Sequence, residues 1–66
     1  MSKTYQYTEL VGTSTTDFSD AVNNAIAAAR EKHPSLRWFE VIQKRGYIDD
    51  TGVAYYQAHL KIGFSV

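Results

Sequence analysis

Apolar and polar positions change period along the chain, and the changes mark its elements. Residues 3 to 11 alternate and carry Tyr5, Tyr7, Leu10 and Val11, which predicts a first strand. Gly12-Thr13-Ser14-Thr15-Thr16-Asp17 then reads as a turn and a helix start. Ser14, Thr16 and Asp17 are each able to cap that helix, and Asp20 puts an anion in its first turns, where the dipole favours one. Over residues 17 to 32, Phe18, Val22, Ile26 and Ala29 recur at helical spacing, with Ala21 and Ala25 beside them. Asn23, Asn24, Arg30, Glu31 and Lys32 fall off that stripe. The helix is expected to end at Glu31-Lys32-His33-Pro34, because Pro34 disfavours helical backbone at His33 and has no N–H to continue the ladder. His33 then stands at the helix C-terminus, where the dipole favours a cation.

Residues 36 to 48 and 53 to 65 are two long strands, and Asp49-Asp50-Thr51-Gly52 between them has turn chemistry, with Gly52 suited to positive φ. If those four residues form the loop, Ile48 pairs with Val53 and the register follows. Trp38 then faces Gly63, Glu40 faces Lys61, Ile42 faces His59 and Lys44 faces Gln57. Directly opposed residues share a face. One face therefore holds Trp38, Glu40, Ile42, Lys44, Gln57, His59, Lys61 and Gly63. The other holds Phe39, Val41, Tyr56, Ala58, Leu60, Ile62 and Phe64, and it is the face that matches the helical stripe. A bulge would move parts of this pattern by one residue.

The order strand–helix–strand–strand predicts an α+β fold, β-α-β-β, in a single domain over residues 1–66. With the third strand in the middle, every neighbouring pair is antiparallel. The helix covers one face of this three-stranded sheet, and the face carrying Trp38 stays open.

Length and charge narrow what such a fold does. A chain of 66 residues buries only about 60% of its unfolded surface, and domains this small rely on disulfides, a metal or oligomerisation. There is no cysteine, which excludes disulfides and thiolate metal sites. His33 and His59 are isolated and make no metal constellation. Oligomerisation remains. Seven Lys and Arg balance seven Asp and Glu, so the electrostatic footprint of a nucleic-acid binder is missing. No apolar run approaches the roughly 20 residues of a membrane span, and Met1-Ser2-Lys3-Thr4-Tyr5 is unlike a signal peptide. A cytoplasmic protein without nucleic-acid or membrane partners is expected.

Trp38, the single tryptophan, is the first candidate binding residue. A flat indole on the open face, opposite a glycine that leaves a slot, suits stacking on a flat electron-poor ring or on another subunit. Gln57 shares the face, and its amide offers an acceptor and two donors, which match an imide or uracil-like edge. Arg45 precedes Gly46; a guanidinium holds phosphate through two parallel hydrogen bonds. The register places Arg45 nearer the helix side, and a bulge at Gly46 or the strand end would be needed to turn it. His59, Lys61 and Glu40 read as a cross-strand charge cluster. No set of nucleophile, base and orienting group is present, so an enzyme is not expected. Gly12-Thr13-Ser14 lacks the glycine spacing and lysine of a phosphate loop. A structural oligomeric shell, or a module for another flat ligand with Trp38 as interface glue, is the alternative reading.

Several blocks, in order, resemble the dodecin family over nearly the whole chain. They are Glu9-Leu10-Val11-Gly12-Thr13-Ser14, Ala21-Val22-Asn23-Asn24-Ala25-Ile26-Ala27, Leu36-Arg37-Trp38-Phe39-Glu40-Val41, Arg45-Gly46, Tyr56-Gln57 and Lys61-Ile62-Gly63-Phe64. The resemblance implies a β-α-β-β subunit assembled into a hollow homododecamer that binds flavins in pairs at subunit interfaces. It implies isoalloxazine rings stacked between symmetry-related Trp38 side chains, Gln57 at the polar ring edge and Arg45 near the polar tail. The implied ligand is riboflavin, FMN or FAD, and the implied role is flavin storage with quenching of its photochemistry. His33-Pro34 departs from the family's usual helix end. Ala28 and Ser65 stand where basic residues help some bacterial members bind coenzyme A, which weakens that expectation here.

Overall fold

The computed structural model describes residues 3–66. Strand β1 (Tyr5–Ser14) leads to helix α1 (Phe18–Lys32), followed by β2 (Leu36–Asp49) and β3 (Gly52–Ser65). The strand order is β1-β3-β2, and both pairs are antiparallel. The predicted α+β arrangement, with one helix on one face, is therefore the arrangement found.

The start of α1 is fixed by a short relay. Asp17 is the N-cap and its Oδ1 accepts from the Asp20 amide at 2.7 Å. Ser14 Oγ accepts from the Thr16 amide at 2.9 Å and donates to Asp20 Oδ2 at 2.7 Å. Of the three possible caps, Asp17 takes the position, because β1 runs on to Ser14 instead of turning at Gly12. The strand continues because β3 offers it partners as far as Tyr56. At the other end His33 is the C-cap, its amide bonded to the Ala29 carbonyl at 2.9 Å. Its ring stacks on Phe64 at 4.1 Å, so it closes the end of the core.

The buried core is Ala21, Ala25 and Ala29 of α1 against Ala58, Leu60 and Ile62 of β3. This corrects the expected centre of the helical stripe. Val22 and Ile26 only flank the core, and the alanines sit at its middle. Gly12 gives the reason. A methyl group there would lie 1.9 Å from the Ala21 carbonyl oxygen and 2.9 Å from Ala25 Cβ. The helix is drawn down onto β1 and β3 at a point only glycine permits, and small residues must fill that close approach. It hardly reaches β2, so Phe39 stays 51% exposed on a face predicted to be buried.

The hairpin register holds next to the turn and from Val41 back to Trp38, fails in between, and shifts again at Arg37, where Leu36 faces Phe64. Trp38 pairs with Gly63, Glu40 with Lys61 and Ile48 with Val53, as expected. However, Gln43 faces His59 and Arg45 faces Gln57, in place of Ile42 and Lys44. An extra residue enters β2 at Ile42, and β3 compensates with an extra residue at Ala54. The two bulges cancel beyond the affected stretch, which a count from the turn cannot detect. At the turn itself Asp49 pairs with Gly52, leaving Asp50 and Thr51 as the loop. Asp49 Oδ1 accepts from the Thr51 amide at 2.8 Å and from its hydroxyl at 2.7 Å, and Gly52 takes φ +129°. Beyond Tyr56 the hairpin has no β1 partner and projects as a two-stranded arm.

Candidate functional site

The open face is assembled from alternate residues of all three strands. From β3 it takes Gln57, His59, Lys61 and Gly63, whose neighbours Ala58, Leu60 and Ile62 point into the core. β1 lays Thr13, Val11, Glu9 and Tyr7 beside them, and β2 adds Arg45, Gln43, Glu40 and Trp38.

Trp38 is 39% exposed, and its indole lies over Gly63. A Cβ on Gly63 would fall 2.0 Å from indole Cε2 and 2.3 Å from Cζ2. The glycine is thus the floor on which the indole rests, and any side chain there would lift the ring off the sheet. The outcome is an aromatic face held close to a rigid central strand and turned toward solvent, which suits stacking on a flat partner.

The bulge at Ile42 settles the orientation of Arg45. It carries Arg45 onto the open face, directly opposite Gln57, and sends Lys44 to the helix side opposite Ala58. There Lys44 Nζ stands 5.6 Å above the Phe18 ring. The turning feature is therefore at Ile42 and not at Gly46. Arg45 Nη2 donates to Gln43 Oε1 at 2.7 Å, and Gln57 Nε2 donates to Thr13 Oγ1 at 3.4 Å. Next to this pair, Tyr47 and Tyr55 stack at 4.6 Å. Gln43, Thr13 and the tyrosine pair were missed in the sequence. Thr13 follows Val11 at strand spacing and was legible had β1 been extended, whereas Gln43 reaches this face only through the bulge.

The charge cluster is arranged differently from expectation. His59 Nε2 lies 2.8 Å from Glu9 Oε1 of β1. Lys61 faces Glu40, and its Nζ lies 4.6 Å from the Tyr7 ring centroid. Among the described residues no three His, Asp or Glu side chains gather as metal ligands.

One subunit brings Arg45 and Gln57 together but leaves Trp38 apart from them. Gly63 lies six residue steps along β3 from Gln57, about 20 Å at the usual strand rise. A ligand that stacks on the indole and also meets the amide or guanidinium must draw them from different copies.

These features define a class: a small α+β module with an aromatic shelf on an open sheet face. The chain belongs to the dodecin family, whose model matches residues 4–66. It is 45% identical over 64 residues to a dodecin from Thermus thermophilus, covering 97% of this chain and 93% of that protein. The solved R45A variant of T. thermophilus dodecin superposes with a TM-score of 0.94 at 42% identity, covering 98% of this chain and 97% of the other. Streptomyces coelicolor dodecin matches at 47% identity and a TM-score of 0.91, over 97% and 91% of the two chains. A calcium dodecin from Mycobacterium tuberculosis, with a calcium-binding site, matches at 27% identity and a TM-score of 0.84, over 96% and 90%. Dodecins are small binding proteins known for flavin binding and dodecameric assembly. No helix among the described residues is long and apolar enough to cross a membrane.

Proposed function

We propose that this chain is a cytoplasmic flavin-storage protein, assembled as a hollow homododecamer, that binds flavins in pairs and quenches their photochemistry. The observation that carries this reading is the Trp38 indole seated over Gly63 on the uncovered face. Paired isoalloxazine rings stack between two symmetry-related Trp38 side chains. Each indole is electron-rich and each flavin electron-poor, so electron transfer from Trp38 returns an excited flavin to its ground state before it reacts.

Gln57 supplies the acceptor and donors that match the alternating polar edge of the flavin ring. Arg45, opposite Gln57 in the bulged register, supplies a guanidinium for the phosphate of FMN or FAD. Riboflavin lacks that phosphate and relies on stacking and the amide alone. The role proposed is binding and not turnover, in keeping with a family of small binding proteins. Ala28 and Ser65 give coenzyme A no cation at those two positions.

Fluorescence titration of riboflavin and FMN tests this reading. Flavin emission is expected to fall to a saturable plateau with the wild-type protein and to stay near its free value with Trp38→Ala. Undiminished emission with both proteins would remove the proposal.

A further inference from the structure

Past the bulge at Ile42, β2 continues on the open face as Arg45, Tyr47 and Asp49, spaced two residues apart. Alternation sets the three in one row, with about 7 Å between neighbours at the usual strand rise. A cation, an aromatic ring and a carboxylate thus follow one another along one strand. The row runs along the rim of the sheet, because β2 is an edge strand in the order β1-β3-β2.

Tyr47 is the centre of the row. It is 45% exposed, and it stacks on Tyr55 of β3 with ring centroids 4.6 Å apart and planes 18° from parallel. One ring face is therefore occupied by Tyr55, and the other points past the edge strand, where no further strand follows. The stack holds the phenol upright before a ligand arrives, which lowers the ordering cost of binding. Arg45 leaves the outer face free, since its Nη2 reaches back to Gln43 Oε1 at 2.7 Å. Its remaining N–H groups are donors for an anion. At the far end, Asp49 Oδ1 accepts from the Thr51 hydroxyl at 2.7 Å and the Thr51 amide at 2.8 Å. These bonds hold its pKa below the ordinary value, so it is a carboxylate at neutral pH with lone pairs for a further donor.

We propose that Arg45, Tyr47 and Asp49 form a subsite for the adenosine end of FAD. Arg45 holds the pyrophosphate, the adenine stacks on the outer face of Tyr47, and the Asp49 carboxylate accepts from the adenine amine. The order of charges allows one orientation. Phosphate is drawn to Arg45 and repelled by Asp49, whereas the exocyclic amine is a donor and meets Asp49. FMN ends at its phosphate and reaches Arg45 alone, and riboflavin reaches none of the three. The inference rests on the flavin reading and goes beyond it by assigning the residues that hold the adenosine half.

Calorimetric titration of FMN and FAD tests it, because the ratio of their dissociation constants isolates the adenosine end. With Tyr47→Ala, FAD is expected to bind about tenfold more weakly, while FMN stays within about twofold of its wild-type affinity. Tyr47→Phe keeps the ring face and is expected to retain wild-type values for both ligands. FAD whose adenine amine is replaced by a carbonyl oxygen is expected to bind the wild-type protein about fivefold more weakly than FAD. Equal losses for FMN and FAD with Tyr47→Ala, or no loss for either, overturn the subsite and leave the flavin reading standing. Failure of both flavins to bind the wild-type protein overturns the two together.

Discussion

The two faces of the sheet are built from the same strands, yet one is finished within the chain and the other is not. On the helix side Ala58, Leu60 and Ile62 are at most 1% exposed beneath Ala21, Ala25 and Ala29. On the far side Trp38, Tyr7 and Val11 lie 39–54% exposed among Arg45, Glu9 and Lys61. The first face is sealed by close packing of small groups around Gly12. The second keeps a glycine, Gly63, in the same central strand, where the exposed Trp38 ring rests on it. A glycine at close approach therefore admits the helix backbone on one face and the Trp38 ring on the other.

The sharpest way to break this comparison is Leu60→Ala. It deletes a fully buried side chain and is expected to cost about 2–5 kcal/mol. The loss would show as a lowered urea midpoint at fixed protein concentration, and an unchanged midpoint would contradict a core centred on β3. Gly12→Ala comes next. Its methyl meets the backbone of α1, so the helix has to lift, at a cost of about 1–3 kcal/mol. Gly63→Ala is the mirror experiment. The three atoms nearest its methyl all belong to the Trp38 side chain, which can swing away. Flavin affinity is expected to fall about tenfold, or about 1.4 kcal/mol, while thermal stability changes less than for Gly12→Ala. Equal stability losses at the two glycines would erase the distinction between the faces.

The smallest effect is expected at the hairpin tip. Asp49 has its pKa lowered from 3.8 by the Thr51 hydroxyl and then the Thr51 amide. A depressed carboxyl pKa contributes stability that is present above 3.8 and is lost as pH falls through the folded-state value. The difference in melting temperature between wild type and Asp49→Asn should therefore be slight at neutral pH and vanish under stronger acid. A difference that grows as the pH falls would contradict the assigned direction.

Much of the site was legible because side-chain period on a strand is two. Trp38, Gln57 and the slot at Gly63 were placed on the open face by alternation alone, and that placement holds. Arg45 was not, because an inserted residue at Ile42 has no signature in the apolar pattern. Ile42 is apolar, and it looks like one more member of an alternating run. The compensating residue at Ala54 hid the error by restoring Ile48–Val53 and Trp38–Gly63.

Sequence by itself determined the elements, the strand order, the single-helix cover and the oligomeric character, because period, turn chemistry and chain length act locally or through the whole composition. Tertiary structure alone decided which part of the helical stripe is buried, how far β1 runs, and which face receives Arg45. Each of those depends on how closely two elements approach, and that distance is set by contacts such as Gly12 against Ala21 that join residues far apart in the chain. The separation of Trp38 from Arg45 and Gln57 is of the same kind. It is set by the length of the strand that carries both ends.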